Sequence, residues 1–213
     1  MSSIAILGSG RVGKTLAGGL AKAGHDVVVG SRTPAETTAA WQDGPAVVVT
    51  SVDEAVAGAD IVINATPGDS AVDRLGALGT QLAGKVLIDV SNATDRGPDG
   101  APGGLVYPNG SLAEHLQRAL PDTRVVKTLN TMLFMVMAAP QSLSNPPTAF
   151  LSGDDADAKA TVAGLLTDLG WKADQIVDLG GVATARGPEA VMLLVPDIMR
   201  ARGFAPFAIG LVS

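Results

Sequence analysis

The sequence predicts an α/β protein: a doubly wound, mainly parallel sheet with a small C-terminal α/β unit. Three observations carry that expectation. Short apolar runs alternate with segments of helical period along almost the whole chain. Hydrophobic residues make up 46% of the 213 and aromatics only 3%, so the core must be assembled from Ala, Val, Leu and Ile. Such a composition suits parallel strands covered by helices on both faces. Several of the 26 glycines stand where a run ends and a turn or helix stop is needed.

The elements follow in order. Residues 4–7 form a short apolar strand, and 8–13 a glycine turn that opens a helix over 12–23, where Val12, Leu16, Leu20 and Ala23 recur at helical spacing. Gly24 ends that helix; 26–29 is a second strand, 34–41 a helix and 46–50 a third strand. Ser51, with Glu54 three residues on, has the pattern of a capping box for a helix over 52–57, ahead of a strand at 60–64. A helix capped by Asp69 or Ser70 extends to Leu82, and 85–90 is the fifth strand. Residues 91–110, rich in Gly, Pro, Asn and Asp, read as a long loop without period. A helix over 111–120, a strand at 124–128 and a short apolar helix over 132–138 complete the larger unit; Met132, Met135 and Met137 there are core or pocket-lining residues. Pro140, Pro146 and Pro147 mark a boundary, giving a domain over 1–139 and a smaller unit over 148–213. That unit reads as strand 148–151, helix 154–169, strand 175–178 and helix 183–200. The pattern leaves open whether its two strands extend the main sheet or form a layer of their own.

Composition excludes several classes. Without cysteine there are no disulfides, cysteine-held zinc sites or iron–sulfur clusters. A formal charge of −6 with dispersed Lys and Arg lacks the clustered basic face that a nucleic-acid partner needs. No apolar run approaches the roughly 18–20 residues that span a bilayer, and the N-terminus has neither a basic flank nor a long apolar region. A cytoplasmic protein with no membrane partner is expected. Gly153-Asp154-Asp155-Ala156-Asp157 lacks calcium-loop spacing, and acidic residues at a helix start are expected from capping and the helix dipole, so no metal is assigned.

The chemistry starts at Gly8-Ser9-Gly10-Arg11-Val12-Gly13. Alone, this spacing is weak, but here it follows a strand and opens a helix. Gly8 permits the tight turn, Gly10 lets a pyrophosphate approach the backbone, and Gly13 allows close helix–sheet packing, as in Rossmann-type dinucleotide domains. Free N–H groups at the helix start face the phosphates. At the end of the second strand an NAD site usually carries Asp or Glu for the ribose 2′-hydroxyl. This chain has Ser31, Arg32 and Thr33, two hydroxyls and a guanidinium suited to a 2′-phosphate, which favours NADP. Ala65 and Thr66 after the fourth strand, and Ser91 and Asn92 after the fifth, lie at carboxyl strand ends, where ligands of open α/β sheets bind.

Acid–base residues are scarce. His25 sits at a helix end, His115 in a polar helix where solvation is expected, and the single tyrosine, Tyr107, in the long loop. Lys127 and Asn130 form the best polar pair, and no catalytic residue is assigned. Hydride exchange between a nicotinamide and a flavin-like ring needs mainly stacking and orientation. An imine or carbonyl reductase using Lys127, Asn130 or Tyr107, and a non-catalytic NADP sensor, remain alternatives.

The sequence resembles the NADP oxidoreductase family that works with the deazaflavin coenzyme F-420. The likeness lies in Gly8 to Gly13, the stretch 24–32, Lys127-Thr128-Leu129-Asn130-Thr131, residues 152–155, and the segment from Val182 to the C-terminus. The resemblance implies a larger Rossmann domain with a small C-terminal domain, and a deazaflavin lying against the nicotinamide in the cleft between them. Related domains in metalloreductases imply FAD or FMN as the rival acceptor. The apolar run 204–212 must be covered, either by folding back to line the acceptor cleft or by a second subunit, and a homodimer is expected.

Overall fold

The computed structural model describes the chain apart from residues 42–43, 98–101 and 212–213. The chain runs through β1 (Ser3–Leu7), α1 (Arg11–Lys22), β2 (Asp26–Ser31), α2 (Pro34–Ala40), β3 (Val48–Ser51), α3 (Val52–Ala57) and β4 (Ile61–Asn64). It continues with α4 (Ala71–Gly76), α5 (Gly79–Leu82), β5 (Val86–Asp89), β6 (Thr94–Arg96), β7 (Pro102–Leu105), α6 (Leu112–Ala119), β8 (Arg124–Lys127) and α7 (Phe134–Met137). Last come β9 (Ala149–Leu151), α8 (Ala156–Asp168), β10 (Ile176–Asp178), α9 (Arg186–Ala190) and α10 (Val195–Arg202).

Six strands form one parallel sheet in the order β3-β2-β1-β4-β5-β8. The order reverses direction between β1 and β4, which opens a crevice at their carboxyl ends. Register brings Gly30, Leu7, Asn64, Asp89 and Lys127 side by side along that edge, so the sheet ends there in a polar row.

Strand alternation divides the interior into two cores. Ile4, Ile6, Ile61, Ile63, Val86, Ile88 and Val126 point to one face, and Ala5, Leu7, Val62, Leu87 and Val125 to the other. Helix α1 covers the first face through Leu16, Ala17 and Leu20. Each such leucine contributes roughly 1.5–3 kcal/mol by leaving water. Leu165, Leu166 and Trp171, from the C-terminal unit, join that same cluster. Helices α3, α4 and α6 cover the second face through residues such as Val56, Leu75 and Leu116. The Ser51–Glu54 capping box forms as the sequence suggests.

The last two strands form a layer of their own, joined to the main sheet by one bridge just past β9. β9 and β10 pair with each other in parallel, and Ser152 is stitched antiparallel to Lys127 at the β8 edge by N–H···O bonds of 2.8 and 3.1 Å.

Three expectations need correction. The supposed loop 91–110 holds an antiparallel pair, β6 with β7. No apolar alternation announces it; Asp95 holds it by accepting from the Gly104 N–H at 2.5 Å. The helix expected to run to Leu82 is a 3₁₀ turn over Gly68–Ser70 followed by α4 and α5, interrupted between Gly76 and Gly79. The helix over 183–200 is likewise broken into 3₁₀ and α pieces, because Pro188 and Pro196 lack the N–H that a continuous helix requires.

Candidate functional site

A cavity of about 1040 Å³ opens at the carboxyl ends of β1 and β4. Its floor begins with the glycine turn. Gly8 has φ +117°, and a Cβ there would fall 2.6 Å from the Ala65 carbonyl oxygen, so the turn lies directly on the end of β4. A Cβ on Gly13 would stand 1.9 Å from the Gly8 oxygen. Gly13 therefore lies beneath the turn rather than on the cavity wall. Gly10 faces open space, where a Cβ would meet nothing within 4 Å. Helix α1 starts at Arg11 with no side-chain cap and no acidic residue in its first turn. By contrast, Ser51, Ser111 and Asp155 cap α3, α6 and α8. The N–H groups left over at a helix start are thus available at the terminus of α1, which faces the cavity.

At the β2 end the lining includes Ser31, Arg32, Thr33, Thr37, Thr66 and Arg74. The Ser31 hydroxyl accepts from the Thr33 N–H at 3.1 Å and is hydrogen-bonded to the Thr37 hydroxyl at 2.6 Å. Arg32 is exposed and makes no ion pair among the described residues. Sequence reading does not single out Arg74, since one arginine on a short helix belongs to no motif. Burial lowers its guanidinium from the usual arginine value; the charge of Arg32 lowers it further and Asp69 works in the opposite direction.

Beneath the middle of the cavity lies a buried polar network. Lys127 is 1% exposed, and its Nζ reaches Asp89 Oδ2 at 2.7 Å, the Ser91 carbonyl at 2.5 Å and Glu189 Oε1 at 3.0 Å. All three ammonium protons are engaged. Asp89 also accepts from Asn64 Nδ2 at 2.8 Å and Ser91 Oγ at 2.7 Å, while Glu189 receives the N–H groups of Leu112 and Ala113 that open α6. Burial alone would lower the Lys127 pKa, but the adjacent charges of Asp89 and Glu189 outweigh it and raise it. With all three N–H bonds taken by protein acceptors and the residue absent from the cavity lining, Lys127 acts as a strut beneath the site. The alternative in which it served imine or carbonyl reduction gains no support from this placement.

Past Lys127 the chain enters the left-handed region at Leu129, φ +58°, an uncommon conformation for a leucine. The turn brings Asn130 and Met132 to the cavity. Asn130 and Asn92 bind each other, Nδ2 of Asn130 donating to Asn92 Oδ1 at 2.9 Å and Nδ2 of Asn92 to the Asn130 carbonyl at 3.0 Å. The far wall is apolar: Met132, Leu133, Phe134, Met137, Met192 and Phe207. Phe207 arrives because residues 207–209 run beside 131–133, with Leu133 N–H donating to Phe207 and Ile209 N–H to Thr131 at 3.0 and 3.1 Å. At the mouth, the Arg11 guanidinium lies over the rings of Phe134 and Phe204, 5.4 and 5.7 Å from their centroids.

The cavity therefore gathers Gly8, Ser9, Gly10, Arg11, Val12, Ser31, Arg32, Thr33, Ala65, Thr66, Ser91 and Asn92 on one wall. Its described lining holds three arginines and no His, Lys, Tyr, Asp or Glu. Tyr107 does not line it; it stacks on His115 at 3.9 Å beside a second, smaller hollow, and His115 is half-buried there rather than solvated. His25 bonds Asp168 at 3.1 Å, joining the end of α1 to α8. Among the described residues no cluster of His, Cys, Asp or Glu could hold a metal, and no helix is long and apolar enough to cross a membrane.

The model of the coenzyme F-420-dependent NADP oxidoreductases matches residues 3–93. An F-420-dependent NADP reductase from Methanothermobacter marburgensis is 30% identical over 211 residues, which covers 92% of this chain and 91% of that protein. The crystal structure of a putative F-420-dependent NADP reductase from Arthrobacter sp. FB24 superposes with a TM-score of 0.92 at 37% identity, covering 100% of both chains. The metalloreductase STEAP3 of Rattus norvegicus is 33% identical across 91% of this chain, which spans only 37% of that longer protein. With the glycine turn, the strand order and the full-length match all pointing the same way, the chain belongs to the family of coenzyme F-420-dependent NADP oxidoreductases.

Proposed function

We propose that this chain moves hydride between NADP(H) and coenzyme F-420 or a related flavin. The observation that carries the reading is the make-up of the cavity wall. One end offers backbone donors and arginines, the other offers thioethers and phenyl rings, and no acid–base side chain stands between them among the described residues. Reduction of an imine or carbonyl carbon needs a placed proton donor, whereas exchange between two ring cofactors asks chiefly for stacking and orientation. Lys127 is spent on three acceptors, Asn130 is not an acid, and Tyr107 lies at the other hollow, so nothing in the described site favours imine or carbonyl reduction.

The residues fit the nucleotide: Gly10 leaves an open cradle, and the start of α1 keeps its donors free. Gly8, Ser9, Gly10, Arg11 and Val12 would hold the pyrophosphate, with Gly13 closing the turn from below. Ser31, Arg32 and Thr33 would take the 2′-phosphate. Ala65, Thr66, Ser91 and Asn92 would line the path to the reacting ring, kept in place by the network under Asp89. When bound, the nicotinamide supplies or accepts the hydride. Met132, Phe134, Met137 and Phe207 keep water from that point.

Purified protein mixed with NADPH should bleach oxidised F-420 or reduce FMN or FAD. Inactivity with all three, despite tight NADPH binding, would replace an enzyme by an NADP sensor. We also propose a homodimer, since Phe204, Leu211, Leu193 and Leu194 remain half exposed or more in the single chain, although residues 207–209 fold back on it. Val212, expected to be covered with them, lies outside the described residues. Light scattering should give twice the chain mass, and a monomer would overturn this. A cytoplasmic setting fits a nucleotide-dependent chain with no cysteine to oxidise; cell fractionation tests it.

A further inference from the structure

Arg74 is placed with unusual care for a surface arginine. Its Nη2 donates to Thr66 Oγ1 at 2.8 Å and to the Pro67 carbonyl at 2.5 Å, and its Nη1 to Ser70 Oγ at 2.9 Å. Its Nε is buried with no partner. All three acceptors are neutral, and no carboxylate lies within ion-pair distance among the described residues. Orientation is fixed from below as well: the Thr66 hydroxyl donates to Asn64 Oδ1 at 2.5 Å, and the Asn64 amide donates to buried Asp89. Although Arg74 stands in the last turn of α4, where an arginine commonly serves the helix carboxyl end, its side chain runs back to residues that precede the helix. A role in helix capping does not account for it.

The result is a fixed, partly dehydrated cation that lines the same cavity as Arg32, itself without an ion pair among the described residues. Two cations sharing one hollow oppose each other, and the Arg32 charge is one of the influences lowering Arg74. Asp69 offsets part of this but forms no ion pair with either arginine among the described residues, so a dianion between the two would relieve the repulsion and supply the contact partner both lack. We propose that Arg74 is a second ligand for the 2′-phosphate of the nucleotide, acting with Arg32 to select a phosphorylated over an unphosphorylated adenosine. This rests on the NADP reading, and the experiment separates the two.

The test is isothermal titration of the whole chain with adenosine 2′,5′-bisphosphate and with adenosine 5′-monophosphate, followed by NADPH and NADH. Arg74→Gln should weaken the bisphosphate and NADPH about tenfold while leaving the monophosphate and NADH nearly unchanged. The salt dependence of bisphosphate binding should flatten at the same time. Arg74→Lys should recover much of the loss, and Arg32→Ala with Arg74→Gln should abolish the preference. Thermal melting checks each fold, and Arg74→Met, which keeps the aliphatic stem, stands in should the glutamine variant unfold. Equal weakening of phosphorylated and unphosphorylated ligands would assign Arg74 to adenine or pyrophosphate and overturn the proposal. So would full preference surviving in both uncharged variants. Wild-type protein that binds NADPH and NADH alike would instead remove the NADP reading itself.

Discussion

The two ends of the cavity are made in different ways. At the β1–β2 end the wall is backbone, or side chains a few positions from it: Gly8 on Ala65, the free start of α1, Ser31 and Arg32 at the tip of a strand. At the other end the wall is side chain only, drawn from Met132 to Met137, Met192 and Phe207, and it exists because residues 207–209 return to pair with 131–133. The first end is set by local geometry and should tolerate change elsewhere in the chain. The second depends on closure of the C-terminal segment, where Glu189 bonds Lys127 and the start of α6.

Glu189 is the place to break that dependence. Glu189→Ala leaves the Lys127 ammonium short of one acceptor and the N–H groups of Leu112 and Ala113 unpaired. Breaking a buried pair in this way costs about 3–5 kcal/mol. Urea unfolding should show the loss, with acceptor turnover failing at lower urea than nucleotide binding. An unchanged midpoint would mean that the C-terminal unit is held by its apolar contacts alone.

A matched pair of glycines probes the other end. Gly13→Ala forces a methyl group to 1.9 Å from the Gly8 oxygen, an overpacking worth about 2–3 kcal/mol in chemical denaturation. Gly10→Ala meets nothing within 4 Å and should stay within about 0.5 kcal/mol of wild type while losing nucleotide affinity, because its methyl occupies the phosphate's approach. The reverse ranking of stabilities would contradict the geometry of the turn.

Cofactor choice follows at a similar or smaller scale. Arg32→Ala should weaken NADPH by roughly 1.5–3 kcal/mol, about ten- to a hundredfold, and NADH little. Matching losses for both would leave Arg32 only an adenine-stacking role.

The smallest effect is a pH dependence beside the buried Glu189. The Arg186 guanidinium, bonded to Glu114 at 2.6 and 2.9 Å, lowers that carboxyl from its ordinary 4.5 to about 2, helped by Ser111 and Arg118. A carboxyl depressed on folding adds stability that is full above its unfolded pKa and is lost as pH falls through the folded one. Arg186→Met should therefore be less stable than wild type at neutral pH, and the gap should close between pH 4.5 and about 2. A gap constant with pH would show that Arg186 contributes by packing instead.

The glycine turn and the tip of β2 are legible in the sequence because their signals are local. A glycine turn between a strand and a helix, and Ser31-Arg32-Thr33 where an acidic residue is usual, each sit within a few consecutive residues. Arg74 is not legible: it reaches the cavity through Thr66, Pro67 and Ser70, a conformation that a helical pattern does not encode. Lys127 reads as a polar candidate but not as a strut, since its partners Asp89 and Glu189 become neighbours only in the folded chain. The β6–β7 pair leaves no trace in the pattern for lack of an apolar face; backbone pairing of Thr94 with Leu105 and Arg96 with Pro102 sets its register, and Asp95 adds a bond to the Gly104 N–H.

Sequence pattern alone specifies the alternation of strands and helices, the parallel sheet and the glycine turn, because hydrophobic period and glycine placement act on the backbone over a few residues. Packing of distant segments settles that β9 pairs with β10 while Ser152, just past β9, bridges to Lys127 at the end of β8, that Lys127 is a buried strut, and that Phe207 faces the cavity. Those outcomes depend on which distant segments share a register, as where Glu189 meets Leu112 across 77 positions of chain. No local pattern holds that information, because burial and pairing are properties of the assembled layers.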